Sequence, residues 1–444
     1  MRRRTELRSL RSSSGSVSVS ERFTNPFEPL TLSAEAVAGL EALTRALVAR
    51  NLDAYERHVH ENVSGLVDKT KWKLMYEQGG LRSYAERGTR MSFGLGAAFG
   101  AATSHMDRRA PVYAQTSTAS VPSILVLGAI EGELDDTMYG FMCPTLDQMR
   151  VKTSYIKDGL ARGSVLATLV APSVEDPFTS VAVKWMEKGQ PAHARAVMKN
   201  RDYVYLEATG VEYLRNGERV GYQVVHSIQF PETPERPSAT RGNMSICAIY
   251  RQKNSDETDV YVKGFLNPVN GLENSIITRS VARTLLSVSR NVYCCQMKKI
   301  KWAIRQRLRP VSDATRVPTL DLTSDSPCVT CGKKRSAVSS LLIAAASRIS
   351  ATKNFRWRRR CKLCEHYVCP DCRSLHKLTF VLPDHRLVQQ QVALCPGCQA
   401  TALSVKAIEV ARDELKRRRW SLYEWRDTYA TSTSSGPIIL NELN

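Results

Sequence analysis

Hydrophobic positions change their spacing along this chain of 444 residues, and the first spacing is helical. After Ser33, which is suited to cap a helix, apolar side chains recur three or four residues apart and predict a helix that runs on towards Glu61. A second, short helix is predicted over Lys69–Glu77. The apolar positions of the first helix are Val37, Leu40, Leu43 and Leu47.

From residue 121 the spacing changes to two, which is typical of strands with one buried face. Asn216-Gly217 predicts a tight hairpin between two strands, and a helix with an apolar stripe from Ile277 to Val292 follows the last one. This order of helix, antiparallel strands and helix predicts an α+β domain over residues 25–303. The predicted strands are Ile124–Leu127, Ser164–Val170, Thr179–Trp185, Asp202–Glu207, Val220–Gln229, Met244–Arg251 and Asp259–Phe265.

Six short sequences in this domain are similar, in the same order, to the START-like lipid-binding fold. They are Glu131-Gly-Glu-Leu-Asp135, Met149-Arg-Val-Lys152, Asp176-Pro-Phe178, Val183-Lys-Trp-Met186, Arg201-Asp-Tyr-Val-Tyr-Leu206 and the run Gly264–Arg290. The chain most resembles the START-like domains that oomycetes join to FYVE-type zinc fingers. The resemblance implies a helix-grip fold, in which a curved antiparallel sheet wraps around a long C-terminal helix and encloses a lipid or another hydrophobic ligand.

Several aromatic residues of this domain have a simpler, structural interpretation. Trp185, Tyr203 and Tyr205 are expected to be core residues rather than ligand contacts. His226, on an alternating strand, is expected to be a satisfied core or surface histidine rather than a catalytic one. The sequence has no nucleophile elbow, no H-E-x-x-H and no P-loop, so we expect a binding protein that is not an enzyme.

Positive charge is concentrated at the C-terminal end. The formal net charge is +20, and residues from 296 onward hold 27 Lys/Arg against 12 Asp/Glu. Such a surface attracts phosphate groups, and we expect an anionic membrane rather than nucleic acid as the partner. No apolar run approaches the roughly 20 residues of a membrane span. The Arg- and Ser-rich residues 1–24 are predicted to be a disordered tail rather than a transit peptide.

Eight of the 12 cysteines form four Cys-x-x-Cys pairs in the last third of the chain. Each pair places two thiolates on one turn, which is half of the ligand set of a tetrahedral zinc ion. Four pairs therefore predict two closed, structural zinc sites. A disulfide framework is the alternative, but it requires a secreted protein, and no apolar signal sequence opens the chain. The pairs are Cys328/Cys331, Cys361/Cys364, Cys369/Cys372 and Cys395/Cys398.

The spacing of these pairs, C-x2-C-x29-C-x2-C-x4-C-x2-C-x22-C-x2-C, resembles the FYVE finger. The resemblance implies interleaved zinc sites, one held by Cys328, Cys331, Cys369 and Cys372 and the other by Cys361, Cys364, Cys395 and Cys398. It also implies phosphoinositide binding at the basic motif around the third cysteine, and a cytoplasmic protein that is peripheral on endosomal membranes. The residues at the motif's positions are Arg358, Arg359, Arg360 and Lys362.

The basic motif departs from the family pattern R-[RK]-H-H-C-[RK], because arginines replace both histidines. Arginine grips phosphate bidentately, so anion binding is expected to survive, whereas selectivity for the 3-phosphate does not follow. A zinc-stapled interaction scaffold without lipid specificity is therefore an open alternative.

A RING-like module acting in ubiquitin transfer is the second alternative. Its ligand set would include His366 in place of Cys361, and Cys395-Pro-Gly-Cys398 is typical of a RING ending. The FYVE interpretation is favoured because it leaves only His366 without a ligand role, whereas the RING interpretation leaves one member of a Cys-x-x-Cys pair, Cys361, without one.

The remaining segments complete the predicted organisation. A polar linker with three prolines is predicted over residues 304–327, and we expect it to uncouple the zinc finger, residues 328–398, from the first domain. A solvated basic helix is predicted over 399–428, followed by a disordered tail over 429–444.

Overall fold

Ten strands in one sheet form the centre of the structure, a computed structural model. It describes residues 25–61, 67–87, 112–113, 123–189, 199–268, 274–307, 327–334, 360–382 and 386–417. The predicted tails and most of the predicted linker lie outside these residues. The strands are β1 (Trp72–Gln78), β2 (Leu81–Glu86), β3 (Val112–Tyr113), β4 (Ile124–Glu131), β5 (Leu160–Val170), β6 (Ser180–Lys188), β7 (Asn200–Tyr213), β8 (Arg219–Gln229), β9 (Ala239–Asn254) and β10 (Glu257–Pro268).

Neighbouring strands in the sheet run antiparallel in the order β1-β2-β4-β10-β9-β8-β7-β6-β5, and β3 pairs with β8 outside this path. All seven predicted strands are present, and the Asn216-Gly217 hairpin is confirmed by the turn between β7 and β8, where Gly217 has a φ of 83°. The short helix predicted over Lys69–Glu77 is wrong. This segment is β1, which Gly79 and Gly80, both with positive φ, fold back onto β2.

The outer face of the sheet is covered by the long N-terminal helix α1 (Ala34–Glu61). Ser33 caps the helix, as predicted, since its hydroxyl accepts a hydrogen bond from the Ala36 N–H at 3.2 Å. The predicted apolar stripe packs on the sheet through Leu40, Leu43 and Leu47, which meet a layer of strand side chains. That layer includes Leu125, Val183, Trp185, Leu206, Val224, Ile249 and Tyr261.

The inner face is covered by the other helices of the first domain. These are α2 (Leu134–Phe141), α3 (Leu146–Ile156), α4 (Asn274–Leu285) and α5 (Asn291–Arg307), with a 3₁₀ turn over Leu286–Arg290 between the last two. A large antiparallel sheet with C-terminal helices on one face agrees with the architecture that the START-like resemblance implies. The single helix predicted from Ile277 to Val292 is, however, interrupted by the 3₁₀ turn. The inner core includes Val126, Met138, Phe178, Tyr203, Tyr205, Met244, Ala248, Tyr250 and Leu285.

The cysteine-rich region consists of a hairpin and two helices. They are β11 (Ser374–Val381), β12 (Leu387–Leu394), α6 (Pro396–Ser404) and α7 (Ala407–Lys416). The region does not stand apart from the first domain, contrary to the expected uncoupling by the linker. Leu378, Phe380 and Val392 share one buried cluster with Tyr155 of α3 and with α5, whose contributions are Met297, Ile300 and Ile304.

The basic helix predicted over 399–428 differs in the structure. Within the described residues, which end at 417, two helices replace it, with a break at Val405 and Lys406. Helix α7 is not a solvated helix, because Ala407, Val410 and Ala411 lie at helical spacing and are buried in the inner core. The chain therefore returns to the first domain after the cysteine-rich region.

Candidate metal centres and hydrophobic interior

The eight paired cysteines come together in two groups, and within each group the Sγ atoms lie within 4.8 Å of one another. The groups are Cys328, Cys331, Cys369, Cys372 and Cys361, Cys364, Cys395, Cys398, which is the interleaved pairing implied by the FYVE resemblance. The Sγ atoms are 3.7 Å apart for Cys331 and Cys369 and 3.9 Å apart for Cys364 and Cys395. A tetrahedral zinc with Zn–S bonds of about 2.3 Å places its sulfurs roughly 3.8 Å apart, so both groups fit the ion.

The backbone forms the same turn in the first knuckle of each group. The residue four positions after the leading cysteine has a positive φ, 70° at Gly332 and 63° at Glu365. Its N–H donates back to the carbonyl of that cysteine, Cys328 or Cys361, at 2.8 Å in both turns. Such turns bring both thiols of a pair to one side of the chain, where they can share an ion.

Backbone N–H groups also point at the sulfurs. The Cys369 N–H donates to the Cys328 Sγ at 3.3 Å, and the Cys398 N–H donates to the Cys395 Sγ at 3.4 Å. Donors of this kind stabilise a thiolate, which is the form that binds metal. Both groups therefore have the ligands and the outer contacts of a closed structural site.

The second group is attached directly to the first domain. The guanidinium of Arg307, at the end of α5, donates to the Lys362 carbonyl at 3.0 Å and lies 2.9 Å from the Glu365 carboxylate. Cys395 is the N-cap residue of α6, whose Leu403 carbonyl accepts a hydrogen bond from Lys299 of α5. The second cysteine group and helix α5 thus fix each other's position.

His366 belongs to neither group of possible metal ligands. Its backbone carbonyl accepts a hydrogen bond from the Cys361 N–H at 3.0 Å, and the Cys361 thiol is the one that joins the second cluster. The ligand set of the RING-like alternative, in which His366 replaces Cys361, is therefore not the set that the described residues assemble.

The structure describes two of the four residues of the basic motif, since Arg358 and Arg359 lie outside the described residues. Arg360 is exposed, and its guanidinium donates to the Glu365 carbonyl at 3.0 Å. Lys362 is half-buried. Burial lowers the pKa of its ammonium, the neighbouring Arg307 lowers it further, and Glu365 opposes both. Arg360 is thus the better placed of these two for contact with an anionic surface.

The inner face of the sheet carries a charged group that sequence reasoning missed. Lys184 and Glu207 form a buried ion pair on neighbouring strands. The Lys184 ammonium also donates to the Cys143 carbonyl at 2.8 Å, and Gln223 donates to the Glu207 carboxylate at 2.7 Å. Burial would raise the pKa of Glu207, but Lys184 and Lys152 outweigh it and hold the pKa below its usual value. The available signal was a lysine in the apolar strand sequence Val181–Met186.

The aromatic residues predicted to be core residues are core residues. Trp185 is fully buried on the outer face, where its indole N–H donates to Asp202 at 3.0 Å. Tyr203 and Tyr205 are buried on the inner face. His226 is also buried, with Nδ1 3.1 Å from the Ser245 hydroxyl, and burial together with Arg50 lowers its pKa to about 4. A neutral, hydrogen-bonded histidine of this kind is structural.

No protein-family model and no curated protein matches this chain. Among solved structures, human StAR-related lipid transfer protein 5 is 12% identical, with 58% of this chain and 97% of that chain covered and a TM-score of 0.38. Human STARD10 is 14% identical over 55% of this chain and 81% of that chain, with a TM-score of 0.34. A STAR-related lipid transfer protein from Xanthomonas axonopodis is 12% identical over 50% of this chain and 99% of that chain, with a TM-score of 0.32. Similarity at this level does not assign a ligand.

Helices long and apolar enough to cross a bilayer are absent from the described part of the chain.

Proposed function

We propose that this chain is a non-catalytic binding protein that holds a lipid or another hydrophobic ligand on the inner side of its sheet. The observation that carries the proposal is the composition of that side. An apolar layer of aromatic, methionine and aliphatic side chains surrounds a small group of convergent charges, centred on Lys184 and Glu207. Ligand sites for apolar molecules combine a hydrophobic lining with a few placed polar groups in this way.

The helices over the inner face suit this role. Helix α2 lies against the start of α5 so closely that a Cβ at Gly140 would come within 2.0 Å of the Asn291 carbonyl oxygen. The other end of α5 is held by the cysteine-rich region through Arg307. A ligand between the sheet and the helices would be enclosed by α5, which is held in position at both of its ends.

A direct binding assay tests the hydrophobic-ligand proposal. The full-length protein is titrated with a fluorescent fatty acid, alongside Ala248→Leu and Ala208→Leu. Both alanines are buried in the sheet, Ala248 on the inner face and Ala208 on the outer face, so both variants overpack a core. We expect Ala248→Leu to weaken probe binding at least about tenfold and Ala208→Leu to leave it unchanged. Absence of saturable binding to the unaltered protein would favour a filled structural core.

The proposed role of the cysteine-rich region is to bind two structural zinc ions and to contact phosphoinositide or another anionic partner. The eight thiols leave no ligand position for a substrate if each group holds one ion, which supports a structural metal. Arg358, Arg359 and Arg360 would supply most of the charge and Lys362 less, because Lys362 is half-buried. We further propose a cytoplasmic protein that is peripheral on endosomal membranes.

Liposome sedimentation tests the membrane role. Attraction of about 1 kcal/mol per cation near an anionic surface predicts salt-sensitive binding that falls when Arg358, Arg359 and Arg360 are changed together to glutamine. The matched control is Lys333→Gln, which removes an exposed cation of the same region. Binding that resists high salt and prefers the 3-phosphate would show that arginine fully replaces the family's histidines.

The zinc-stapled scaffold is the second candidate, and one observation favours it. The hairpin β11–β12 buries its apolar face against α3 and α5 rather than presenting it to a partner. If no anionic liposome binds the protein, the region serves as a structural extension of the ligand domain. The RING-like function is disfavoured because Cys361, not His366, joins the cluster.

A further inference from the structure

A cavity of about 450 Å³ lies on the outer face of the sheet, on the side opposite to the proposed hydrophobic site. It lies between the last two turns of α1, the beginning of β1 and the strands β4 and β10. The side chains that matter for its chemistry are Arg57, His58, Lys71, Trp72, Tyr261 and Lys263. Three of them are cations and two are large aromatic residues that form part of its floor, while the carboxylates of Glu61 and Asp68 complete the charged lining.

Lys263 is the unusual member of this group. It is half-buried in the middle of β10, where its cross-strand neighbours are Leu125 on β4 and Cys247 on β9. Its ammonium makes no hydrogen bond or ion pair with any described residue, and neither does the guanidinium of Arg57. A cation that is partly removed from water without a partner is unfavourable. Burial lowers the pKa of Lys263, and Lys71 lowers it further.

The acidic groups nearby do not neutralise the cations by direct contact. Asp68 accepts hydrogen bonds from the Thr70 N–H and hydroxyl at one oxygen, Oδ1, at 2.8 and 2.6 Å, and acts on Lys71 electrostatically. Glu61, which also lines the cavity, acts electrostatically on His58. Glu86 acts on Lys263 electrostatically, and one of its oxygens is buried without a hydrogen bond. Carbonyl groups at the end of α1 would attract cations as well. None of them, however, accepts a hydrogen bond from Lys71 or Lys263 among the described residues.

The floor of the cavity is packed with aromatic rings. The His58 ring lies 5.0 Å from the ring of Tyr261, which also contacts Tyr55 at 5.3 Å. Trp72 is buried, and the Lys71 ammonium lies 5.9 Å from its ring centre. Aromatic packing therefore fixes the strand that carries Lys263 and the helix that carries Arg57 and His58. A site built on rigid elements is suited to specific binding.

We propose that this pocket binds the phosphate group of a small phosphorylated ligand, with Lys263 at the bottom and Arg57 and Lys71 at the rim. A guanidinium contacts two phosphate oxygens at once, and the two lysines supply point charges. The site is separate from the basic motif of the cysteine-rich region and independent of the proposed hydrophobic-ligand function.

The test uses the zinc-loaded, full-length protein and inorganic pyrophosphate at constant ionic strength. Binding is measured by calorimetry and by the ligand-induced rise in melting temperature. We expect Lys263→Met to raise the melting temperature without ligand, because it removes a half-buried charge that no described residue pairs, and to weaken pyrophosphate binding by about tenfold or more. Arg57→Gln should weaken binding too. Lys73→Met, which removes an exposed lysine from the same edge of the sheet, is the control and should bind normally.

A second arm distinguishes the source of the phosphate. Vesicles of phosphatidylcholine with a phosphatidylinositol phosphate are added to the same variants. Loss of vesicle binding in Lys263→Met, together with loss of pyrophosphate binding, assigns a lipid head group to the pocket. Unchanged vesicle binding with lost pyrophosphate binding assigns a free phosphorylated molecule. The proposal is overturned if the unaltered protein does not bind pyrophosphate, or if Lys263→Met and Lys73→Met bind it equally.

Discussion

The sheet region and the cysteine-rich region are held together in different ways. The sheet has two extensive cores, one beneath α1 and one beneath α2, α4 and α5, and α7 adds Ala407, Val410 and Ala411 to the second. The cysteines and the hairpin β11–β12 share one smaller cluster that is complete only with α3 and α5. A segment this short cannot bury enough apolar surface by itself. Metal ligation and packing against α3 and α5 therefore supply the stability that a core of its own would give. The comparison predicts that the cysteine-rich region is less stable than the sheet region, and that unfolding of the first destabilises the second.

Loss of the second metal site should have the largest effect. We expect Cys364→Ser to lower bound zinc from two ions to one and to unfold the β11–β12 hairpin. The shared cluster on α5 should then lower the melting temperature of the sheet region as well. Metal analysis and thermal unfolding measure both. Cys331→Ser, in the more exposed first group, should also lose one ion but destabilise the sheet region less. Equal effects of the two variants would contradict the direct attachment through Arg307.

Acid should lower the stability of the sheet region through one buried histidine. His226 has a pKa of about 4 in the folded sheet and about 6.5 when unfolded. Its contribution to stability is therefore complete above pH 6.5 and is lost as the pH falls towards 4, by up to about 3 kcal/mol. His226→Gln should flatten this part of the stability profile. The measurement is denaturant unfolding between pH 7 and 4, followed on the sheet region. An unchanged slope would show that other groups control acid unfolding.

The interface between the two regions should depend on a buried hydroxyl. The Tyr155 oxygen accepts a hydrogen bond from the Thr379 N–H at 2.6 Å. Tyr155→Phe leaves that N–H buried without a partner, which should cost about 1–3 kcal/mol. Tyr293→Phe is the matched control, because Tyr293 packs edge-on against Tyr155 but is 38% exposed. Urea unfolding measures both variants, and equal losses would mean that the hydrogen bond between Tyr155 and Thr379 does not contribute specifically to the stability of the interface.

The smallest effect is expected where α7 touches the turn between β5 and β6. The Arg412 guanidinium donates to the Val174 carbonyl at 3.0 Å, and Glu414 accepts a hydrogen bond from the Tyr139 hydroxyl at 2.8 Å. Arg412→Gln should speed hydrogen exchange in residues 173–176 while changing the free energy of unfolding by less than about 1 kcal/mol. Arg45→Gln, exposed on α1, should change neither.

Much of the sheet could be predicted because its signal is local. Strands such as Met244–Arg251 alternate between a buried core and the opposite face, so period two is visible in the sequence. The error at Trp72–Gln78 has a local cause as well, since the reversal depends on the backbone of Gly79 and Gly80. The grouping of the cysteines came from the family resemblance and not from spacing alone.

Docking of the cysteine-rich region could not be predicted. Tyr155 and Thr379 are separated by 224 positions, and no periodicity links them. The apolar stripe of α7 was hidden because Ala407, Val410 and Ala411 are small and are followed by a strongly basic run. Lys184 and Lys263 were missed for a similar reason, since the burial of a single lysine depends on neighbours from other strands.

The most direct test of the hydrophobic-ligand proposal is mass spectrometry of the purified, full-length protein under native conditions, followed by organic extraction. We expect a species with two zinc ions and one hydrophobic molecule, which is lost from Ala248→Leu and retained in Ala208→Leu. A protein that carries zinc but no extractable hydrophobic molecule, and acquires none on incubation with a lipid mixture, would contradict the proposal and leave the inner layer as a closed core.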